Sequence, residues 1–455
     1  MKKNRLISTL LTVLLLTTAI IPFSTFAAEP PEVTAQHALL MDAHYDEVLY
    51  DKGAYEKTSP ASITKVMTAL LVMEAIEAGA LAPEDMITAD ESSQKGLTSD
   101  SSTQNIKPGE TMSVKDLLYC MMVPSANEAA NILAVAVDGS VDTFLQHMNS
   151  RAQELGCLNT HFANTHGMPE ENHYSTAYDI YLYTKAAMEY DLFREIVYTS
   201  VYETQATNLA GPRTFYNTNG LITQWRFRGY LYDKALGVKT GSTGESNGYC
   251  LVSAAEDGDE YLIAVVLGAE QVLDANGNIT DRRQFSESRA LYQWGFSNFQ
   301  RTTISKDSSP VAQVAVTLSQ EADSVMVKPV GEISRTLPVD LNLDEIESTI
   351  TMFQDTVEAP VQEGQVLGTM TLSCEDEVFG TLDLVAVNSV ERSEFLYRQA
   401  QVKAFFEQSG TKLVLGAVLI LVLIVLLRLF VFRKRRRPSA AGRRSGGGFS
   451  GRRRR

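Results

Sequence analysis

Cysteine is scarce in this chain: four in 455 residues. Cys120, Cys157, Cys250 and Cys374 are too few for the disulfide framework of a small secreted domain. Cys120 and Cys250 fall in apolar runs and read as buried thiols, and one disulfide among the four stays open. Their spacing fits no metal motif. Histidine is nearly as rare, with six residues. His161, His166 and His173 come close together, but their spacing matches neither an i, i+4 helical pair nor a zinc pattern. They read as loop residues, and no metal or other cofactor is expected. No internal repeat is present.

Acidic residues are missing from both ends. Residues 1–27 carry three basic residues and 428–455 carry twelve, with no acid in either. All 55 acidic residues therefore lie in 28–427, against 25 basic ones, so a net charge of -15 hides a middle of -30. A polyanion is repelled by such a stretch, and no nucleic-acid partner is expected. Long apolar runs are confined to the same two ends. Lys2, Lys3 and Arg5, the apolar run 10–21 and Thr25-Phe26-Ala27 before Ala28 have the form of a secretory signal peptide, removed on maturation. Residues 413–432 are apolar except for Arg428, which can snorkel to the headgroups. At 1.5 Å per residue they cover about 30 Å, enough to span a bilayer. The tail 433–455, rich in glycine, serine and arginine, is expected to be disordered. Its charge reads as a topology signal with anionic-lipid contact, rather than nucleic-acid binding. The positive-inside rule puts the tail in the cytoplasm and the rest outside.

Three short motifs carry the chemistry. Ser62-Ile63-Thr64-Lys65 follows Ser59-Pro60, a predicted N-cap with proline at the first helical position, and opens a predicted helix over 61–78. Ser62 and Lys65 then share a face. A serine hydroxyl needs a neighbouring base to act as nucleophile. A lysine serves only if burial or nearby positive charge lowers its pKa. Ser125-Ala126-Asn127 follows a helical run, 114–122, and opens another, 128–137, so that both side chains can face a cleft. Lys239-Thr240-Gly241 ends a predicted strand, 236–240. The runs 249–255 and 261–267, joined by Asp257-Gly258, make a hairpin. Each motif alone is common; all three in this order are not.

Together with Pro60-Ala61-Ser62-Ile63-Thr64-Lys65-Val66-Met67-Thr68, the upstream strands 38–42 and 48–50, and Asn164-Thr165-His166-Gly167-Met168, these motifs resemble the low-molecular-mass penicillin-binding proteins, specifically the D-alanyl-D-alanine carboxypeptidases. The resemblance spans about residues 33–390. It implies an α+β fold: a β-lactamase/transpeptidase-like domain, with a helical cluster and an antiparallel sheet. It implies that Ser62 is acylated, with Lys65 as its base and Ser125 as proton relay. It places Asn127 against the substrate peptide, Lys239, Thr240 and Gly241 against its terminal carboxylate and backbone, and the N–H groups of Ser62 and Ser242 in the oxyanion hole. The implied partners are peptidoglycan stem peptides ending in D-Ala-D-Ala, β-lactams, and the membrane through the C-terminal helix. Some members carry an arginine before an Asn-Gly upstream of the third motif; here Thr218 precedes Asn219-Gly220. Thr240, Arg226 or Arg228 then remains for the carboxylate.

The predicted domains are a signal peptide (1–27), the carboxypeptidase domain (28–300), a small all-β domain (301–390), a juxtamembrane helix (391–412), the span (413–432) and the tail (433–455). The all-β region shows short alternating runs such as 311–318 and 381–387, and 361–369 resembles the second domain of the same family. Residues 389–408 read as a helix leading to the membrane, with an apolar stripe of Phe395, Leu396, Val402, Phe405 and Phe406 that Gln399 interrupts; a plain stalk is favoured over interfacial insertion. The competing functions are a β-lactamase of the same fold and a membrane β-lactam sensor. A related β-lactamase needs Glu-x-x-Leu-Asn after the second motif. Here Glu154-Leu155-Gly156-Cys157-Leu158-Asn159 is one residue too long. A sensor lacks a folded output domain in this tail.

Overall fold

The computed structural model describes residues 29–242, 248–304, 309–374 and 377–433. The signal peptide expected at 1–27 and the basic tail after Arg433 lie outside them. The chain forms two compact units: one runs to Ile304 and takes in Ser334–Asp344, the other comprises Ser305–Ile333 and the chain from Glu345 onward.

The first unit is built on five strands, β1 (His37–Asp42), β2 (Glu47–Lys52), β3 (Ala235–Ser242), β4 (Tyr249–Asp257) and β5 (Glu260–Ala269). They pair antiparallel in the order β2-β1-β5-β4-β3. Alternate residues serve different cores. Leu39, Met41, Ile263 and Val265 face one, and Ala38, Leu40, Leu262 and Ala264 face the other. Burial on both faces explains why β1 and β5 read as continuous apolar runs.

Six helices cover the first face: α1 (Thr64–Glu77), α2 (Val114–Met122), α3 (Asn127–Asp138), α4 (Val141–Glu154), α5 (Ala177–Met188) and α6 (Asp191–Tyr198). Three begin on side-chain caps: Ser113 accepts from Asp116 N, Ser140 from Thr143 N and Thr176 from Asp179 N. Helix α1 is buried without a break from Thr64 to Met73, as befits a helix apolar on all sides. Helix α7 (Arg283–Asn298) covers the second face. A Cβ on its Gly295 would lie 2.8 Å from Leu40 Cδ2, so a larger residue there would make the Leu40 side chain shift.

The start of α1 departs from the sequence expectation. Ser59 caps nothing, and its hydroxyl has no hydrogen-bond partner. Ala61–Ile63 is a 3-10 turn, with Ala61 in the left-handed region at φ 49°, and the α-helix starts at Thr64. The cause is tertiary. Gly167 and Gly241 press against Ala61 so closely that added Cβ atoms would lie 1.8 Å from Ala61 O and 3.0 Å from Ala61 Cβ.

The second unit holds a six-stranded sheet: β6 (Ala312–Thr317), β7 (Ser324–Val330), β8 (Glu347–Met352), β9 (Thr356–Glu358), β10 (Val366–Cys374) and β11 (Glu377–Ala386). The order is β8-β10-β11-β7-β6-β9, with only β6 and β9 parallel. Helix α8 (Glu394–Glu407) leaves Phe395, Val402, Phe405 and Phe406 exposed. Helix α9 (Ser409–Arg433) contains one stretch, Gly410–Phe432, long and apolar enough to cross a membrane.

Candidate active site

The fold delivers the three motifs to one cleft of the first unit. The 3-10 turn supplies Ser62, and the first turn of α1 supplies Lys65. The tight link between α2 and α3 supplies Ser125, the first residue of α3 is Asn127, and the end of β3 supplies residues 239–242. Ser62, Ser125, Asn127, Thr240, Gly241 and Ser242 line a cleft of about 630 Å³. Lys65 and Lys239 are buried at 0% and 1% exposure. All eight residues singled out in the sequence therefore converge.

Lys65 Nζ lies 2.9 Å from Ser62 Oγ and donates to His166 O at 2.7 Å. Burial drives its pKa well below the ordinary lysine value; the Lys239 charge adds to this, and Glu128 opposes it. A neutral amine keeps a lone pair, so it can accept the Ser62 proton. Burial likewise lowers Lys239 to about 7, helped by the Arg226 charge. Lys239 Nζ donates to Thr240 O at 3.0 Å.

Ser125 occupies the left-handed region at φ 73°, a costly conformation for a non-glycine residue and one that clusters at functional sites. Asn127 N donates to Ser102 O at 2.9 Å, while its buried side-chain Oδ1 has no partner. An orphaned acceptor beside a cleft suits a substrate N–H. On the β3 side, Thr218 Oγ1 and Thr240 Oγ1 are 2.6 Å apart. Arg226 lines the cleft with Thr218; Arg228 is not among the lining residues. Glu154 sits on α4, paired with Arg151 Nη1 at 3.0 Å, and does not line the cleft.

Comparison with known proteins decides the family. Residues 24–271 match the D-alanyl-D-alanine carboxypeptidase family, and 299–392 match the C-terminal domain of penicillin-binding protein 5. The chain belongs to the D-alanyl-D-alanine carboxypeptidase family. The D-alanyl-D-alanine carboxypeptidase DacF of Bacillus subtilis is 32% identical, covering 86% of this chain and 96% of its own. The D-alanyl-D-alanine carboxypeptidase DacC of Escherichia coli is 32% identical over 81% of this chain and 88% of its own. Among solved structures, penicillin-binding protein 5 of Haemophilus influenzae superposes with a TM-score of 0.62 at 27% identity, covering 80% of this chain and all of that one (100%).

Sequence reasoning treated the carboxypeptidase's His166 and His173 as loop residues and missed their part in the site. Both rings are buried, and burial first, then neighbouring positive charge, lowers them to about 3 and about 4. They are neutral imidazoles at physiological pH. The loop that carries them is tied to the site at several points. Thr68 Oγ1 donates to Thr165 O at 2.7 Å, and Thr165 Oγ1 donates to Asn131 Oδ1 at 2.7 Å. Gln284 was also missed; it lines the cleft with a buried, unpartnered Oε1. No sequence spacing announces either feature, because the partners lie far apart in the chain. Cys120, Cys157 and Cys250 are free buried thiols. Among the described residues, no group of His, Cys, Asp and Glu could hold a metal ion.

Proposed function

We propose that this carboxypeptidase removes the terminal D-alanine from peptidoglycan stem peptides through an acyl-Ser62 intermediate. The observation that carries the reading is the 2.9 Å contact between the Ser62 hydroxyl and a buried Lys65 amine whose pKa is strongly lowered. Ser62 Oγ attacks the carbonyl carbon of the penultimate D-alanine, and its proton passes to Lys65 Nζ. The oxyanion is held by the N–H groups of Ser62 and Ser242. The C–N bond breaks, Ser125 relays the proton to the departing amine, and free D-alanine leaves. Water then attacks the Ser62 ester and gives its proton to Lys65; the acyl C–Oγ bond breaks, Lys65 returns the proton to Ser62 Oγ, and the shortened peptide departs with a new carboxylate. The terminal carboxylate is held by Thr240 with Thr218, under the charges of Lys239 and Arg226. Asn127 and Gly241 hold the peptide backbone.

A penicillin acylates Ser62 in the same way, but its amine stays attached after ring opening and blocks the water. Deacylation then needs a dedicated base, and Glu154 is not in the cleft. A missing base worth about 10²–10⁴-fold makes the adduct long-lived. Residues 1–27 direct export, the Gly410–Phe432 helix anchors the protein, the catalytic unit lies outside the membrane and the basic tail inside. The test is mass spectrometry after brief penicillin exposure, run beside turnover of a D-Ala-D-Ala peptide. Repeated peptide turnover with an adduct lasting many minutes is expected. Loss of the adduct within seconds, with steady drug hydrolysis, means a β-lactamase. A lasting adduct with no peptide turnover means a sensor.

A further inference from the structure

The peptide unit joining Ala61 to Ser62 is held by Thr64, an inner residue of the first motif, and through it by His173, which lies outside all three. Thr64 Oγ1 donates to Ala61 O at 2.8 Å. Threonines often bond a carbonyl three or four residues back. Here the hydroxyl is itself held by a second group: Thr64 Oγ1 lies 2.8 Å from His173 Nε2. The ring's other nitrogen settles the tautomer. Ala163 N donates to His173 Nδ1 at 3.1 Å, so Nδ1 is the acceptor and Nε2 carries the proton. The chain of bonds has one consistent direction, from Ala163 N–H to His173, from His173 Nε2–H to Thr64, and from Thr64 O–H to Ala61 O. Thr64 is fully buried and His173 is 5% exposed, so water does not compete for these groups.

The burial that lowers His173 to about 4 keeps the ring neutral, as this direction requires. His161 and Lys65 are the titratable neighbours acting on it, and both disfavour its protonation.

A peptide unit is planar, so its C=O and N–H point in fixed opposite directions. Anchoring Ala61 O therefore aims the N–H of Ser62. Ala61 sits at φ 49°, a conformation an alanine leaves readily unless held. We propose that Thr64 and His173 are positioning residues that aim the Ser62 N–H at the oxyanion through the Ala61 carbonyl. The proposal rests on the acyl-Ser62 reading. Neither side chain touches substrate in it.

The variants are T64V, which keeps the shape and loses the hydroxyl, and T64S, which keeps the hydroxyl. Acylation by a fluorescent penicillin and turnover of a D-Ala-D-Ala peptide are both timed on the full chain. Acylation and deacylation each pass through an oxyanion, so T64V slows both, by about tenfold or more, towards the 10²-fold or greater cost of losing one oxyanion donor. KM is unchanged, and T64S stays within about threefold of wild type. A merely structural role would lower the fraction of protein labelled and leave the rate of the labelled molecules alone. If T64V does not fold, H173L and H173Q replace it. Glutamine places an N–H near the Nε2 position and restores the rate, and leucine does not. T64V or H173L acylating at the wild-type rate overturns the proposal, as does equal slowing in both members of a pair. A wild-type protein that penicillin never labels at Ser62 sinks the acyl-enzyme reading itself, and this proposal with it.

Discussion

Gly167→Ala tests how tightly the nucleophile turn is clamped. Gly167 has φ 90°, and a Cβ there would lie 1.8 Å from Ala61 O and 2.9 Å from Ser62 N. Backbone atoms cannot yield as a flexible side chain does, so the Ala61–Ser62 peptide must move by about 1 Å or more. The left-handed conformation costs an alanine about 1–2 kcal/mol, and repacking adds a similar amount. A 1 Å displacement of reacting groups costs about 10²-fold, or about 2.7 kcal/mol in the barrier. The variant is therefore expected to acylate about a hundredfold more slowly with fluorescent penicillin in stopped flow, and to be less stable by about 2–4 kcal/mol in urea. Gly79→Ala is the control. Its φ is 72° with nothing within 4 Å of the added Cβ, so it carries the same strain without the clash. It should lose about 1–2 kcal/mol of stability and keep the wild-type rate. Acylation of Gly167→Ala within threefold of wild type would refute the clamp.

Four further outcomes rest on other parts of the molecule. Ser62→Ala should abolish covalent labelling by fluorescent penicillin, and full labelling at unchanged stoichiometry would move the nucleophile elsewhere. Arg213 forms a two-pronged pair with the buried Glu110 at 2.7 and 3.0 Å, so Arg213→Ala strands a carboxylate and should cost about 3 kcal/mol in denaturant unfolding. Lys239 is charged below about 7 and neutral above, so the peptide's KM should rise as pH passes upward through that value. The Arg226 charge lowers Lys239, so Arg226→Gln should shift the rise to higher pH; a rise that stays in place would disconnect the two groups. A chain ending at Gln408 should stay soluble and active; pelleting with membranes after a high-salt wash would make α8 an anchor in its own right.

Local pattern alone determined much of this protein. The apolar runs 249–255 and 261–267 marked strands buried on both faces, because their length and bounding turn suit a strand. The Asp257-Gly258 pair marked their hairpin; Gly258 takes φ 64° there. The run 114–122 matches α2 residue for residue, because Ser113 caps it and Pro124 closes it. The three motifs named Ser62, Lys65, Ser125, Asn127 and residues 239–241, since a fixed chemistry demands fixed residue types at short spacing, and the family resemblance added Ser242. What tertiary structure decided lies at long range. The helix expected from Ala61 gave way to a 3-10 turn, because Gly167 and Gly241 press on Ala61 from more than a hundred residues away. His173 is a loop residue as its spacing suggested, but only the fold buries it against Thr64, 109 residues away in the chain. Lys65 was already the expected base, but the lowered pKa that role needs comes from burial and the nearby Lys239. Spacing can say which residues lie near one another along a helix or strand. Only the packed fold removes the water and brings distant charges together, and a buried amine's pKa depends on both.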